Sequence, residues 1–199
     1  MEPARPRRAG SLTTFIDVET TGLYLDHLTP DDQSQPHIVQ IAAKCTNDEG
    51  RVAGAFQAII RPTGWTIEPG AEKVHGISEL RAQREGVDLL PVLALLKSFV
   101  DNSAMVVAHN YQFDRSVIAS ETVRLKRNAD WILRRPHDRT FCTMESSTDV
   151  LKLPGKYGKF KWPSLAEALT LCPDFIHGGE HDAWHDVEAC EAIYRRITQ

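Results

Sequence analysis

No stretch of the sequence is long and apolar enough to cross a bilayer. The longest apolar run, Leu89 to Leu96, is eight residues, where a spanning helix needs roughly 18 or more. Cysteine is scarce as well. Cys45, Cys142, Cys172 and Cys190 include no closely spaced pair. That excludes a disulfide scaffold and a Cys-x-x-Cys motif, and it suggests reduced thiols in a cytoplasmic protein. Glycine, 12 of 199 residues and without period, excludes a collagen-like repeat. There is no internal repeat and no low-complexity segment. Neither sign of charge dominates, since 23 Lys+Arg against 27 Asp+Glu leave a formal net charge of −4. This excludes a grip on nucleic acid by bulk positive charge, but not by a local basic patch. With 42% hydrophobic residues the composition is not that of a disordered chain, and its length suffices for one domain with a sizeable core. Residues 1–10 carry Arg5, Arg7 and Arg8 among two prolines, with no apolar segment among them. They read as a flexible basic tail rather than a secretory signal, with a single domain over 11–199.

What is present is an ordered alternation of strand and helix patterns. Residues 12–18 (LTTFIDV) are rich in β-branched and aromatic types and end at Thr-Thr-Gly, which predicts a strand. Residues 25–36 are polar and hold two prolines, as a loop would. Runs at 38–45 and 52–60 flank Asn-Asp-Glu-Gly, so they are expected to pair as an antiparallel hairpin. Leu89, Val92, Leu93, Leu96, Phe99 and Val100 recur at helical spacing after Asp88, a residue type suited to an N-cap. A buried strand at 104–108 precedes a helix over 111–127 with Phe113, Val117, Ile118 and Leu125 on one face. Another strand is expected at 139–143, with helices at 145–151, 164–171 and 183–197. Three strands followed by alternating strands and helices predict an α/β mixed sheet with helices packed on it.

The chemistry shows as acids where the pattern asks for apolar residues. Asp17 sits inside an uncharged strand and Glu19 follows two positions later, on the same face. Like charges so placed repel unless a cation lies between them. By itself the pair is weak evidence: about four acid-x-acid triplets are expected by chance, and a solvated strand end is the alternative. Asp114, however, shares its helix face with Val117, Ile118 and Leu125, and Asp186 shares its face with Cys190, Ile193 and Ile197. Each is a lone acid on a face that should be buried, in the first turn, where the helix dipole favours a carboxylate. A charge at the rim of the core is the alternative for each. Four carboxylates drawn together suggest a hard divalent cation with oxygen ligands, Mg²⁺ or Mn²⁺. His181 precedes a helix that Gly178, Gly179 and Asp182 start near residue 183. It would stand on a loop beside Asp186, a place suited to a general base.

FIDVETTGL from Phe15, HNYQFD from His109 and HDAWHD from His181 resemble, in order and spacing, the three exonuclease motifs of the DnaQ-like 3′→5′ exonucleases, DEDDh subgroup. EPGAEKVHGIS from Glu68 is similar to the segment before the second motif. The resemblance spans about residues 12 to 197. It implies a ribonuclease H-like fold, a five-stranded mixed sheet flanked by helices. It implies that Asp17, Glu19 and Asp186 hold one ion, that Asp17 bridges to a second with Asp114 nearby, and that His181 takes the proton from an attacking water. A metal pair of this kind stabilises both entering and leaving oxygens at phosphorus. The product would be a nucleoside 5′-monophosphate released from a 3′ end, with single-stranded DNA the expected substrate and a DNA polymerase or another replication or repair protein a possible partner. Thr20, Leu23, His75 and Phe113 match substrate-contacting positions. Core packing is the alternative for Leu23 and Phe113, and a helix-end histidine the alternative for His75.

The polar insertion at 25–36 and the stretch Lys152 to Trp162 depart from the family pattern. The latter interleaves Lys152, Lys156, Lys159 and Lys161 with Tyr157, Phe160 and Trp162, a composition suited to single-stranded nucleic acid. A solvated loop with Trp162 anchored in the core is the alternative. Arg124, Lys126, Arg127, Arg134, Arg135 and Arg139 form a second basic cluster, read as a solvated helix end or a flank for duplex. Three rival functions stay open: zinc on His177, His181 and His185 at four-residue spacing, which the two glycines oppose; a non-catalytic module binding nucleic acid or a polymerase; and an exoribonuclease of the same fold.

Overall fold

The computed structural model of the chain describes residues 11–179 and 181–198; the tail expected over 1–10 lies outside them. β1 (Leu12–Thr20), β2 (Ile38–Asn47) and β3 (Val52–Ile59) form an antiparallel meander. The β2–β3 turn closes as its residues dictate. Asn47 Oδ1 accepts from Glu49 N and Arg51 N, and Gly50 takes the positive φ of 83°. β4 (Met105–Ala108) and β5 (Thr140–Cys142) then pair parallel to β1 and to β4 respectively. The sheet order is β3-β2-β1-β4-β5, the mixed five-stranded sheet that the pattern predicts. All four cysteines are free thiols.

Helices cover both faces of this sheet. α1 (Pro69–His75), α2 (Glu79–Glu85) and α3 (Leu89–Asn102) lie between β3 and β4. α4 (Tyr111–Arg124) and α5 (Asp130–Leu133) separate β4 from β5. α6 (Thr143–Leu151), α7 (Leu165–Ala168) and α8 (Ala183–Thr198) follow. None of the described helices is long and apolar enough to cross a membrane. The alternation of β1 decides what each face receives. Ile16 and Val18 enter one cluster with Val92, Leu96 and Val100 of α3 and Val117 and Ile118 of α4. Phe15 enters another with Val187, Cys190 and Tyr194 of α8. Each fully buried side chain of this size contributes roughly 1.5–3 kcal/mol. Asp17 and Glu19 follow Phe15 at the period of two, so the α8 face continues from apolar to acidic.

The differences from expectation lie mostly at element ends. α4 stops at Arg124 rather than 127. Lys126 takes the left-handed conformation (φ 56°) and Arg127 N donates to Thr122 O, a helix stop of the kind glycine usually provides. Leu125 therefore falls off the buried face and is 37% exposed. Asp88 precedes α3 without accepting a side-chain capping bond. The helix expected at 164–171 is α7 continued by a 3₁₀ turn at 169–171. α1, α2 and α5 carry too short an apolar pattern to stand out in the sequence, although Pro69 in the first turn, Gly76 in the left-handed region and Ser78 accepting from Arg81 N are ordinary helix punctuation. The second basic cluster divides: Lys126, Arg127, Arg134 and Arg139 are exposed, as in a solvated helix end, whereas Arg124 and Arg135 are drawn into packed partners. Arg124 pairs with Glu121 and both are buried. Arg135 donates to the Val100, Ser103 and Arg139 carbonyls.

Candidate active site

β4 pairs with β1 only through Phe15, then turns away at Asn110, whose left-handed backbone (φ 69°) leads into α4. Beyond that point the Val18 N–H has no strand to bond. Asp114 Oδ1 accepts from it at 3.1 Å, so the first turn of α4 brings a carboxylate to the free edge of β1, where a buried N–H needs an acceptor. Asp114 is 2% exposed, which removes the rim alternative. From the other side α8 delivers Asp186. Asp182 starts that helix by accepting from Trp184 N and His185 N, and the Gln40 side chain bonds both Asp182 and Ala183 N. The helix mouth is thus fixed to β2.

These elements enclose a cleft of about 650 Å³ lined by Asp17, Glu19, Asp114, His181 and Asp186 among others. Glu19, His181 and Asp186 each offer a ligand atom within 4.8 Å of the other two. His181 is exposed on the loop before α8, with φ 58°. His177, noticed in the sequence only as part of the rival zinc stripe, donates or accepts at 2.9 Å between its Nε2 and Asp186 Oδ1. Nothing in the sequence marked that pairing, because it depends on the path of the loop. The zinc stripe itself does not form. His177 and His181 precede α8, and the metal-capable group found among the described residues contains one histidine and two carboxylates.

The electrostatics follow from crowding acids in a low-dielectric corner. Burial pushes Asp17 well above the usual carboxylate range, and the nearby Asp114, Asp186, Glu19 and Asp182 push it further. Burial, then Asp186 and Asp182, raise Glu19 to about 8. Asp114 is raised well above its ordinary value by burial, against the pull of the Val18 N–H. Asp186 is raised by burial, with His177 opposing. The donor set therefore suits a hard divalent cation: oxygen-rich, over-supplied with negative charge, and short of basic partners. Glu19, His181 and Asp186 are close enough to hold it together, and Asp17 and Asp114 line the same cleft.

Thr20, Leu23 and Phe113 also line the cleft. Leu23 is 82% exposed, so it does not serve the core; Phe113 is partly buried and packs on the main cluster as well. His75 ends α1 and is buried. Its Nδ1 accepts from Ile77 N at 3.1 Å, while Nε2 has no partner. Burial and the neighbouring His181 hold its pKa below the ordinary value; with Nδ1 accepting, Nε2 is the donor nitrogen, and His75 is not among the residues that line the cleft. His109, another cleft residue, donates from Nε2 to Pro163 O at 3.1 Å and shares a bond with Thr143 Oγ1 at 2.9 Å. Trp162 is not anchored in the core; it is 67% exposed.

The Exonuclease family profile matches residues 14–194. No match is found among curated proteins. Among solved structures, E. coli exonuclease I in complex with a dT13 oligonucleotide aligns with a TM-score of 0.70 at 22% identity, over 94% of this chain and 40% of that one. A product-bound exonuclease I gives 0.70 and 22% over 94% and 43%, and an ExoI/SSB-Ct complex 0.68 and 22% over 94% and 41%. The chain spans less than half the length of these proteins, and at such identity the likeness establishes the fold, a ribonuclease H-like mixed sheet flanked by helices. With the family profile running through all three acidic motifs, the chain belongs to the DnaQ-like 3′→5′ exonuclease family.

Proposed function

We propose that the chain is a divalent-metal-dependent 3′→5′ exonuclease that releases nucleoside 5′-monophosphates from single-stranded DNA. The observation that carries this reading is the group of four acids around one cleft, each with its pKa raised by burial. Asp17, Glu19 and Asp186 would hold one Mg²⁺ or Mn²⁺, and Asp17 with Asp114 a second. Bound ions of this class lower the pKa of water and neutralise charge that develops in an in-line displacement at phosphorus. His181, on its exposed loop, accepts the proton of the attacking water at an imidazole nitrogen. The new bond joins water oxygen to phosphorus. The bond from phosphorus to the O3′ of the penultimate nucleotide breaks, and that oxygen leaves as a 3′-hydroxyl once protonated. Leu23 and Phe113 present apolar surface to the terminal bases, and Thr20 lies beside them.

The oligonucleotide seen with E. coli exonuclease I supports a single-stranded DNA substrate. The test is a gel assay of 5′-labelled single-stranded DNA, blunt duplex and RNA with Mg²⁺, Mn²⁺ or EDTA. A ladder shortening from the 3′ end of single-stranded DNA with either ion, absent with EDTA and with Asp186→Ala, is expected. Cleavage that persists in EDTA overturns the metal reading, and faster cleavage of RNA overturns the substrate.

A further inference from the structure

The segment between α6 and α7 leaves three aromatic rings in water. Tyr157 is 97% exposed, Trp162 67% and Phe160 49%. It is nonetheless a built hairpin. Pro154 and Phe160 form an antiparallel bridge. Gly155 N donates to Lys159 O at 2.9 Å, and Lys161 N donates to Leu153 O at 3.0 Å. A Cβ at Gly155 would lie 2.6 Å from the Lys159 carbonyl oxygen, so the two sides touch there. At the tip Tyr157 adopts φ 57°, ψ 32°, a conformation strained for an aromatic residue, and strain of this kind concentrates where a side chain is aimed for use.

The root of the hairpin belongs to the cleft wall. His109 and Leu165 line the cleft, and His109 is bonded to Pro163. Ser164 and Glu167 form a capping box that fixes the next turn, and Lys161 pairs with Glu167 at 2.5 Å. Lys152, Lys156 and Lys159 make no ion pair among the described residues, and residues 152–162 contain no acid. Cations alternate with rings along the hairpin as phosphates alternate with bases along an unpaired strand. A 3′ end seated among the carboxylates can extend from the cleft only on its 5′ side.

We propose that the 152–162 hairpin is a stacking arm for single-stranded DNA: Tyr157 and Trp162 hold bases 5′ of the nucleotides in the cleft, and Lys156 and Lys159 neutralise the phosphates between them. This deepens the nuclease reading and rests on it. Stacking needs an open base face, so the arm favours unpaired strands, and a substrate too short to reach it gains nothing.

The experiment is a ladder of oligo(dT) from a dinucleotide to about a dozen nucleotides, with kcat and KM at each length and, in EDTA, fluorescence anisotropy of a labelled dozen-mer. For the wild type, KM falls by on the order of tenfold once the strand passes the cleft, the weight of one stacked base. Tyr157→Gly, which relaxes the tip, flattens that dependence, and Tyr157→Phe retains it. Lys156→Gln with Lys159→Gln lowers the salt slope of binding by about 1.4, at about 0.7 per phosphate on a single strand. A wild-type KM independent of length, or Tyr157→Gly with an unaltered KM ladder and anisotropy, overturns the arm. An unaltered anisotropy is also what a protein-docking role for these rings would give. Absence of hydrolysis at every length overturns the nuclease reading instead, and anisotropy then still decides whether the arm binds DNA.

Discussion

Glu19 makes the cost of the acidic cleft measurable without substrate. It is 8% exposed, and its pKa rises from 4.5 to about 8 on folding. Between these values the folded chain keeps a proton that the unfolded chain has released. The contribution is present below about 4.5 and is lost as pH rises through about 8. At about 1.36 kcal/mol per unit, the metal-free protein loses about 5 kcal/mol across that window. For a chain of this size, about 2–4 °C per kcal/mol converts this to a fall in Tm of about 10–20 °C. Other groups contribute to the pH dependence of stability as well, so the decisive quantity is a difference. Thermal melts of wild type and Glu19→Gln in EDTA should nearly coincide at pH 4.5 and diverge towards pH 8, with the variant the more stable. Mn²⁺ at about a hundred times its Kd should restore about 2.7 kcal/mol to the wild type and less to the variant. A Glu19→Gln protein that melts below wild type at pH 8, or a difference independent of pH, would refute the crowding of charge on which the metal assignment stands.

Other outcomes follow from the same geometry. His181→Ala should lose on the order of 10² or more in kcat, and His185→Ala much less, in single-turnover assays; equal losses would restore the zinc stripe. His177→Ala frees Asp186 Oδ1, so the divalent concentration for half-maximal cleavage should rise by about 10- to 100-fold with saturated kcat nearly kept; an unchanged titration would make the pairing incidental. Leu23→Ala should leave denaturant stability within about 0.5 kcal/mol while raising KM, whereas Phe15→Ala, fully buried, should cost about 3–5 kcal/mol. Early unfolding of Leu23→Ala would return that residue to the core.

The elements that could be read from the sequence are those in which local pattern and burial agree. Asp17 and Glu19 stood out because a period-two strand leaves no neutral place for them. Asp114 and Asp186 stood out because helical periodicity put them beside Val117 and Cys190, which are indeed buried. Where conformation departed from the residue's habit, the sequence misled. Lys126 ends α4 in a conformation that glycine usually marks, so the helical period that puts Leu125 on the buried face does not extend to it. Arg124 and Arg135 looked like solvent-facing charge, but their partners are Glu121 and three carbonyls brought in by tertiary packing. Trp162 left two readings open because a large apolar ring is ordinarily buried, and only the hairpin's geometry shows that it is not. His177 had no local signature at all.

The bond from Val18 N to Asp114 joins residues 96 apart in sequence, and that from Gln40 to Asp182 joins residues 142 apart. No contiguous fragment of modest length therefore contains a working centre. The first motif emerges during synthesis long before its counterparts, and the carboxylates meet only after the slowest class of folding event, closure of distant segments, is complete. On the proposed nuclease reading, catalytic competence is a property of topology: a nascent or partly unfolded chain would be inert, and activity would report the finished fold.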